Sequence, residues 1–242
     1  MQGIEFSRRL GRAVCLAGIL LACSDSGLDP TLDPTLDPTL NEAGEGFVWS
    51  NPASCSPNAP AVSLSAARRD SLPPFSPPSH PGGDALWQMV AEHVPGGWAG
   101  LYLEPVAGRN RLVLNFVDIS HVSESLNALA VYYPTYLPGT HFSFARDSVR
   151  IRVVRWNWVQ LNDWYRYVIL VAGLPDGWTY SDINEVTNRL EFGAATPADR
   201  DLLLQRLSQL GAPCWLAAVS IQGYAVLKGA QPPLPASGVV AP

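Results

Sequence analysis

The sequence is poor in positive charge and in metal-binding patterns. Its 242 residues include a single lysine, Lys228, and the formal net charge is −5. Nucleic-acid surfaces need clustered lysine and arginine, so this composition argues against a nucleic-acid partner. The four histidines occur in no His-Glu-x-x-His spacing and the cysteines in no Cys-x-x-Cys spacing, so we expect neither a metal nor a cofactor.

The N-terminus has the layout of an export signal. Three arginines within the first 12 residues precede the apolar run 13–21, which is too short for the roughly 20 residues of a membrane-spanning helix. Leu20-Leu21-Ala22-Cys23 then resembles a bacterial lipobox. We predict that residues 1–22 are a signal peptide and that lipidated Cys23 anchors the chain to the cell envelope, in the outer membrane if the cell has two membranes. An ordinary signal peptide with an incidental cysteine is the alternative.

The remaining cysteines suggest a disulfide. Cys15 would leave with the signal and Cys23 would carry the lipid, which leaves Cys55 and Cys214 in an oxidising compartment. A bridge between them would close a long loop, which the chain-entropy model credits with roughly 4–5 kcal/mol. Two separate thiols are the alternative, one of them buried in the C-terminal strand.

Composition divides the exported chain into a spacer, a domain and a tail. The tetrapeptide Leu-Asp-Pro-Thr occurs three times over residues 28–39, and proline at every fourth position forbids a helix interior. We interpret residues 23–83 as a proline-rich spacer that is mobile apart from the stretch near Cys55, and residues 231–242 as a disordered tail. The folded domain is expected over residues 84–230.

Periodicity predicts an α+β domain. The strand Val149–Val153 alternates valine or isoleucine with arginine, which is typical of a strand with one wet face. Cap and spacing signals add a hairpin over 99–118, helices over 84–93, 123–132, 158–171 and 197–210, a hairpin over 181–193 and a strand over 217–221. From residue 149 onward the order is β-α-β-β-α-β, so we expect a ferredoxin-like unit preceded by a β-hairpin and a helix, with its helices on one face of an antiparallel sheet.

Three stretches resemble a known family. The first is Gly97-Trp98-Ala99-Gly100-Leu101-Tyr102-Leu103 with Arg111-Leu112-Val113-Leu114, the second is the stretch 158–164, and the third is the acidic hairpin Asp182–Leu190 with its Asn188-Arg189 pair. All three are similar to the pro-regions of secreted bacterial trypsin-like proteases of the alpha-lytic and streptogrisin type. No segment resembles a protease nucleophile loop. The resemblance implies a stand-alone, pro-domain-like module that binds a protein, such as a protease in trans, by pairing strands with it.

The predicted partner surface combines this hairpin with an aromatic helix. Four aromatic residues between 158 and 167 cannot all turn inward on one helix, and exposed tryptophan and tyrosine are enriched at interfaces. The expected partner-binding residues are Asp182, Asn184, Glu185, Asn188, Arg189 and Trp164. Arg150, Arg152, Arg155 and Arg166 are interpreted as a solvated face, with a carboxylate-binding row as the alternative.

We expect no catalytic residues. A small hydrolase using Ser120, His121 and Ser123 is conceivable, but no Gly-x-Ser-x-Gly elbow is present, and helix capping explains the serines more simply. The leading hypothesis is a lipid-anchored, non-enzymatic protein-binding domain. A structural envelope lipoprotein without a specific enzyme partner is the second.

The lipid anchor makes a direct prediction. Replacing Cys23→Ser should move the protein from the membrane fraction to the soluble fraction and abolish incorporation of labelled palmitate, because the acyl chains would supply the membrane affinity. Cys15→Ser should leave both unchanged. Labelled lipid on the Cys23→Ser variant would contradict the assignment.

Overall fold

The computed structural model describes residues 48–49, 56, 59–74, 84–137, 139 and 142–222. All of them belong to one compact unit, Thr31–Pro242. Cys23, Cys55, the Leu-Asp-Pro-Thr repeats and the C-terminal tail lie outside the described residues. Within the described ranges, no helix has the length and apolar character needed to cross a membrane.

The described residues form seven strands and five α-helices. The strands are β1 (Val48–Trp49), β2 (Trp98–Val106), β3 (Arg109–Phe116), β4 (Val149–Val153), β5 (Trp178–Asn184), β6 (Arg189–Ala194) and β7 (Ala217–Ile221). The helices are α1 (Ala66–Asp70), α2 (Asp84–Ala91), α3 (Val122–Tyr136), α4 (Trp158–Arg166) and α5 (Pro197–Gln209). A π-helical segment, Tyr167–Ala172, extends α4.

The strands form two sheets. The first has the order β2-β3-β4 and the second the order β1-β7-β6-β5. The β3–β4 and β6–β7 pairs are parallel and the other pairs are antiparallel. The protein is therefore an α+β fold, as its sequence predicts.

The two sheets belong to two equivalent halves, each with the order α-β-β-α-β. In each half a glycine with positive φ (Gly97, Gly177) precedes the tryptophan that opens the first strand, and the strand register shifts just after that tryptophan. An Asn-Arg-Leu triplet follows in the hairpin, and its leucine is the first residue paired with the parallel strand: Leu112 with Val149 and Leu190 with Ala217. The fold is thus an internal repeat.

The ferredoxin-like arrangement is not confirmed. It required β4 to join the sheet of β5, β6 and β7, whereas β4 pairs in parallel with β3. The strand after a crossover helix commonly lies beside the strand that precedes that helix, and α3 is such a crossover. The alternation in Val149–Val153 predicts a strand, but it identifies neither the neighbouring strand nor the buried face, since the buried residue of β4 is Arg152.

Side-chain caps define two helix starts in the second half. The Asn157 carboxamide accepts a hydrogen bond from Gln160 N at 2.8 Å, and Gln160 Oε1 accepts one from Asn157 N at 3.1 Å, which completes a capping box for α4. Thr196 Oγ1 accepts from Asp199 N at 3.2 Å at the start of α5. By contrast, α3 begins after His121 without a side-chain cap, so neither Ser120 nor Ser123 has the capping role expected from the sequence.

Each half has its own apolar core, and Trp87 joins the two. Its ring centroid lies 5.4 Å from Trp98 of the first half and 4.8 Å from Trp158 of the second. Both partners are fully buried. Gly100 permits this approach, because a Cβ there would lie 2.9 Å from Trp87 Cζ3 and 2.8 Å from Glu185 Cγ. The aromatic contact therefore packs the two halves directly against each other.

Residues 59–74, assigned to the spacer from the sequence, pack on the second half. We call this segment the strap. Leu64 is 3% exposed within the second core, Val62 O accepts a hydrogen bond from Trp164 Nε1 at 2.9 Å, and Arg68 Nη1 donates to Leu210 O at 2.6 Å. The folded unit therefore extends N-terminal to the predicted boundary at residue 84.

The strap should contribute measurably to stability. Leu64→Ala is expected to lower the free energy of unfolding by about 2–4 kcal/mol, because it removes buried methyl groups and leaves a cavity. Val62→Ala, two residues earlier and 51% exposed, should change it by less than about 0.5 kcal/mol. Urea unfolding of both variants measures the difference, and equal midpoints would show that the strap is not part of the cooperative unit.

Candidate functional site

The predicted hairpin places its turn against the first sheet. Asn115 Nδ2, on β3, donates to Glu185 O at 2.7 Å, and Arg152 Nη1, on β4, donates to Val186 O at 2.5 Å. Asn115 and Arg152 are themselves a cross-strand pair and are both buried. The turn of the second half is thereby fixed to the sheet of the first.

Asn188 has an internal role at this junction. Its side chain is buried, and Oδ1 accepts hydrogen bonds from Trp156 N at 2.8 Å and Arg155 N at 3.1 Å. Its Nδ2 donates to Trp156 O at 2.9 Å. Its φ of 52° lies in the left-handed region, which asparagine tolerates better than most residues. Asn188 therefore ties β6 to the segment between β4 and α4.

Arg189 is half-buried beside other arginines. Burial lowers the pKa of Arg189 to about 10; Glu191 opposes that shift and Arg155 and Arg152 add to it. The guanidinium stays charged at neutral pH. Its Nε donates to Thr187 O at 3.3 Å, and Glu191 Oε1 accepts from Thr187 Oγ1 at 3.0 Å. These contacts stabilise the turn itself.

The other predicted residues divide between surface and core. Asp182 is exposed, and its Oδ1 accepts from Ile183 N at 2.9 Å. Asn184 and Glu185 are half-buried, and Asn184 Oδ1 accepts from Thr187 N at 3.0 Å. Trp164 is 3% exposed, beneath the strap. With Trp164 and Asn188 buried, a partner could directly contact only the other four.

Sequence reasoning missed the exposed apolar residues of the same strand and turn. Trp178, the first residue of β5, is 40% exposed, and Val186 in the turn is 50% exposed. Together with Asp182 they form what we call the β5 surface. The sequence carries a partial signal, because Gly177-Trp178 repeats the Gly97-Trp98 pair of the first hairpin and so marks Trp178 as the start of a strand. Trp98 is buried, however, so the repeat does not predict that Trp178 is exposed.

The arginine row does not form a continuous surface. Arg150 Nη1 lies 2.8 Å from Glu104 Oε1, Arg152 is buried in the contact with Val186, and the Arg155 guanidinium lies 5.6 Å from the Trp215 ring centroid. Arg166 donates to Pro73 O of the strap. Internal contacts therefore engage all four.

The residues of the hydrolase alternative make local contacts. Ser120 Oγ donates to Asp118 Oδ2 at 2.9 Å, and His121 Nδ1 lies 3.2 Å from Glu124 Oε2. Both contacts stabilise the entry to α3. In the part of the chain that the structure describes, no group of three or more His, Cys, Asp or Glu side chains could hold a metal ion.

Cys214 is disulfide-bonded, and its partner lies outside the described residues. Next to it, Trp215 Nε1 donates to Ser56 O at 2.6 Å. Ser56 directly follows Cys55, so this hydrogen bond places the neighbours of the two cysteines together.

No protein-family model matches this chain, and no curated protein matches it significantly. The resemblance to protease pro-regions therefore rests on the residues of the three similar stretches alone.

The contrast between two equivalent asparagines is testable. Asn188→Ala should lower the free energy of unfolding by about 2–4 kcal/mol, because it leaves buried backbone groups of Trp156 without partners and puts alanine at a positive φ. Asn110, the equivalent residue of the first half, is exposed, and Asn110→Ala should cost less than about 0.5 kcal/mol. Chemical denaturation of both variants checks this, and similar losses would disprove the assigned role.

Proposed function

We propose that this protein is a lipid-anchored envelope protein whose folded part is a non-enzymatic protein-binding domain. The partner is a protein that contributes an extended segment, such as an envelope protease in trans. The observation that carries the proposal is the position of β5 at the edge of the second sheet. No described strand pairs with its outer side, and Trp178 is exposed beside it.

An edge strand of this kind supports binding by strand addition. Backbone N–H and C=O groups of an edge provide affinity for an extended peptide, while neighbouring side chains provide specificity. The opposite edge of the same sheet shows this geometry within the chain, since β1 pairs antiparallel with β7 through Val48–Val219 and Trp49–Ala218. A segment from a partner would make the same kind of pairing on β5.

Pre-organisation favours such binding. The turn after β5 is held by Asn115 and Arg152, and Asn188 fixes the start of the following strand. A partner would therefore meet an ordered hairpin, so little conformational entropy would be lost on association. Asp182 is exposed on the same strand, and its negative charge would determine which charge a partner segment should carry beside it.

The resemblance to protease pro-regions supports the same function. The second half keeps five elements of the expected ferredoxin-like order, α4, β5, β6, α5 and β7, around one core. We assign the pro-domain-like fold to this half as part of the proposal. The module would then fold or restrain a protease through its sheet.

The predicted anchor completes the proposal. Lipidated Cys23 and the spacer would present the domain at the membrane surface, and a Cys55–Cys214 disulfide would secure the strap to it. The Ser56–Trp215 hydrogen bond supports that pairing.

Site-specific crosslinking tests the function. The mature chain with Cys23→Ser, carrying a photo-crosslinking residue at position 178, should crosslink one trypsin-like protease in an envelope extract. The same residue at position 131, where Val131 is 60% exposed on α3, should not. Trp178→Ala should weaken binding of that protease at least tenfold, as expected for an interface tryptophan. Absence of a protease adduct specific to position 178, or unchanged binding by Trp178→Ala, would refute the proposal.

A further inference from the structure

A polar cleft of about 330 Å³ lies between the strap, α2 and α4. Its charged and amide side chains are Arg69 from the strap, Gln88 from α2, Glu92 directly after α2, and Asp163 and Arg166 from α4. Gln88 and Glu92 are one helical turn apart, as are Asp163 and Arg166, so each pair shares a helix face. The volume falls at the small end of the about 300–1,000 Å³ range of ligand pockets.

The cleft contains equal numbers of positive and negative side chains. Asp163 interacts electrostatically with both Arg69 and Arg166, and Arg69 Nε lies 2.9 Å from Asp163 Oδ2. Asp163 is 5% exposed, and burial raises the pKa of its carboxyl despite the opposing attraction of Arg69 and Arg166. The Glu92 carboxylate also raises this pKa by repulsion, so a cationic group placed between the two carboxylates would be favourable.

An amide chain holds the second carboxylate in place. Asn162 Nδ2 donates to Gln88 Oε1 at 3.1 Å, and Gln88 Nε2 donates to Glu92 Oε1 at 3.0 Å. Asn162 and Gln88 are both buried, whereas Glu92 is exposed at the rim. Glu92 is thus an accessible carboxylate whose orientation is fixed from the buried side.

We propose that this cleft binds a small zwitterion, an α-amino acid unit with a free ammonium and a free carboxylate. The ammonium would lie between Glu92 and Asp163, and the carboxylate would accept hydrogen bonds from Arg69 and Arg166. A ligand with only one of these charges would contact only the arginines or only the carboxylates. Leu72, Pro73 and Val159 also line the cleft, so an aliphatic side chain suits it.

The site is independent of the proposed protein-binding function. Its walls share no residue with the β5 surface of Trp178, Asp182 and Val186. Loss of protease binding would leave the cleft unchanged, and loss of zwitterion binding would leave the β5 edge intact.

Matched ligands test the charge requirement by isothermal titration calorimetry of the Cys23→Ser mature chain. L-leucine should bind, while N-acetyl-leucine, which lacks the ammonium, and leucinamide, which lacks the carboxylate, should each bind at least tenfold more weakly. Leucyl-leucine distinguishes a peptide terminus from a free amino acid, and binding of either zwitterion supports the site. No heat from leucine or the dipeptide, or equal affinity for the singly charged analogues, would overturn it.

A matched pair of glutamate variants locates the site. Glu92→Gln should weaken binding of the zwitterion about tenfold, since it removes an accessible carboxylate without disturbing the buried core. Glu124→Gln, at an exposed position on α3, should leave the affinity unchanged. Unchanged affinity in Glu92→Gln, or an equal loss in both variants, would exclude this cleft as the site.

Discussion

The hydrogen bonds between the Asn188 carboxamide and the Trp156 backbone are the constraint on which the structure depends. They satisfy both the N–H and the C=O of Trp156 at a point where the chain passes from one half to the other. The Trp156 side chain is fully buried in the second core, and the backbone there belongs to neither a helix nor a strand. Without Asn188 these backbone groups would be buried and unpaired, at a cost of about 1–3 kcal/mol each.

The arrangement of the two halves follows from this junction. Fixing Trp156 sets the start of α4, which carries Trp158 toward Trp87 of α2. The turn after β5 then meets the first sheet, where Asn115 and Arg152 bind its carbonyl groups. The same assembly leaves β5 at a sheet edge and opens a charged cleft between α2, α4 and the strap. Both proposed binding sites therefore depend on how the repeats are joined.

Local features of the sequence predicted the elements but not their assembly. The strand Val149–Val153 and the threonine cap of α5 depend on a few neighbouring residues, and both form where expected, although the buried residue of the strand is Arg152 rather than a valine or isoleucine. The partner of β4, the burial of Trp164 under the strap and the internal role of Asn188 each depend on residues 32 to 102 positions away in the chain. Helical periodicity required that one aromatic residue between 158 and 167 stay outside the core, but it could not anticipate a covering segment from the proline-rich region.

Native-state hydrogen exchange at the Trp156 amide tests most directly whether this junction holds the halves together. Across a denaturant series, the opening free energy of that amide should equal the opening free energies of the core amides of β3 and β6, because the junction should open only when both halves unfold. Exchange at Trp156 with a much lower opening free energy, while both cores stay protected, would contradict the account.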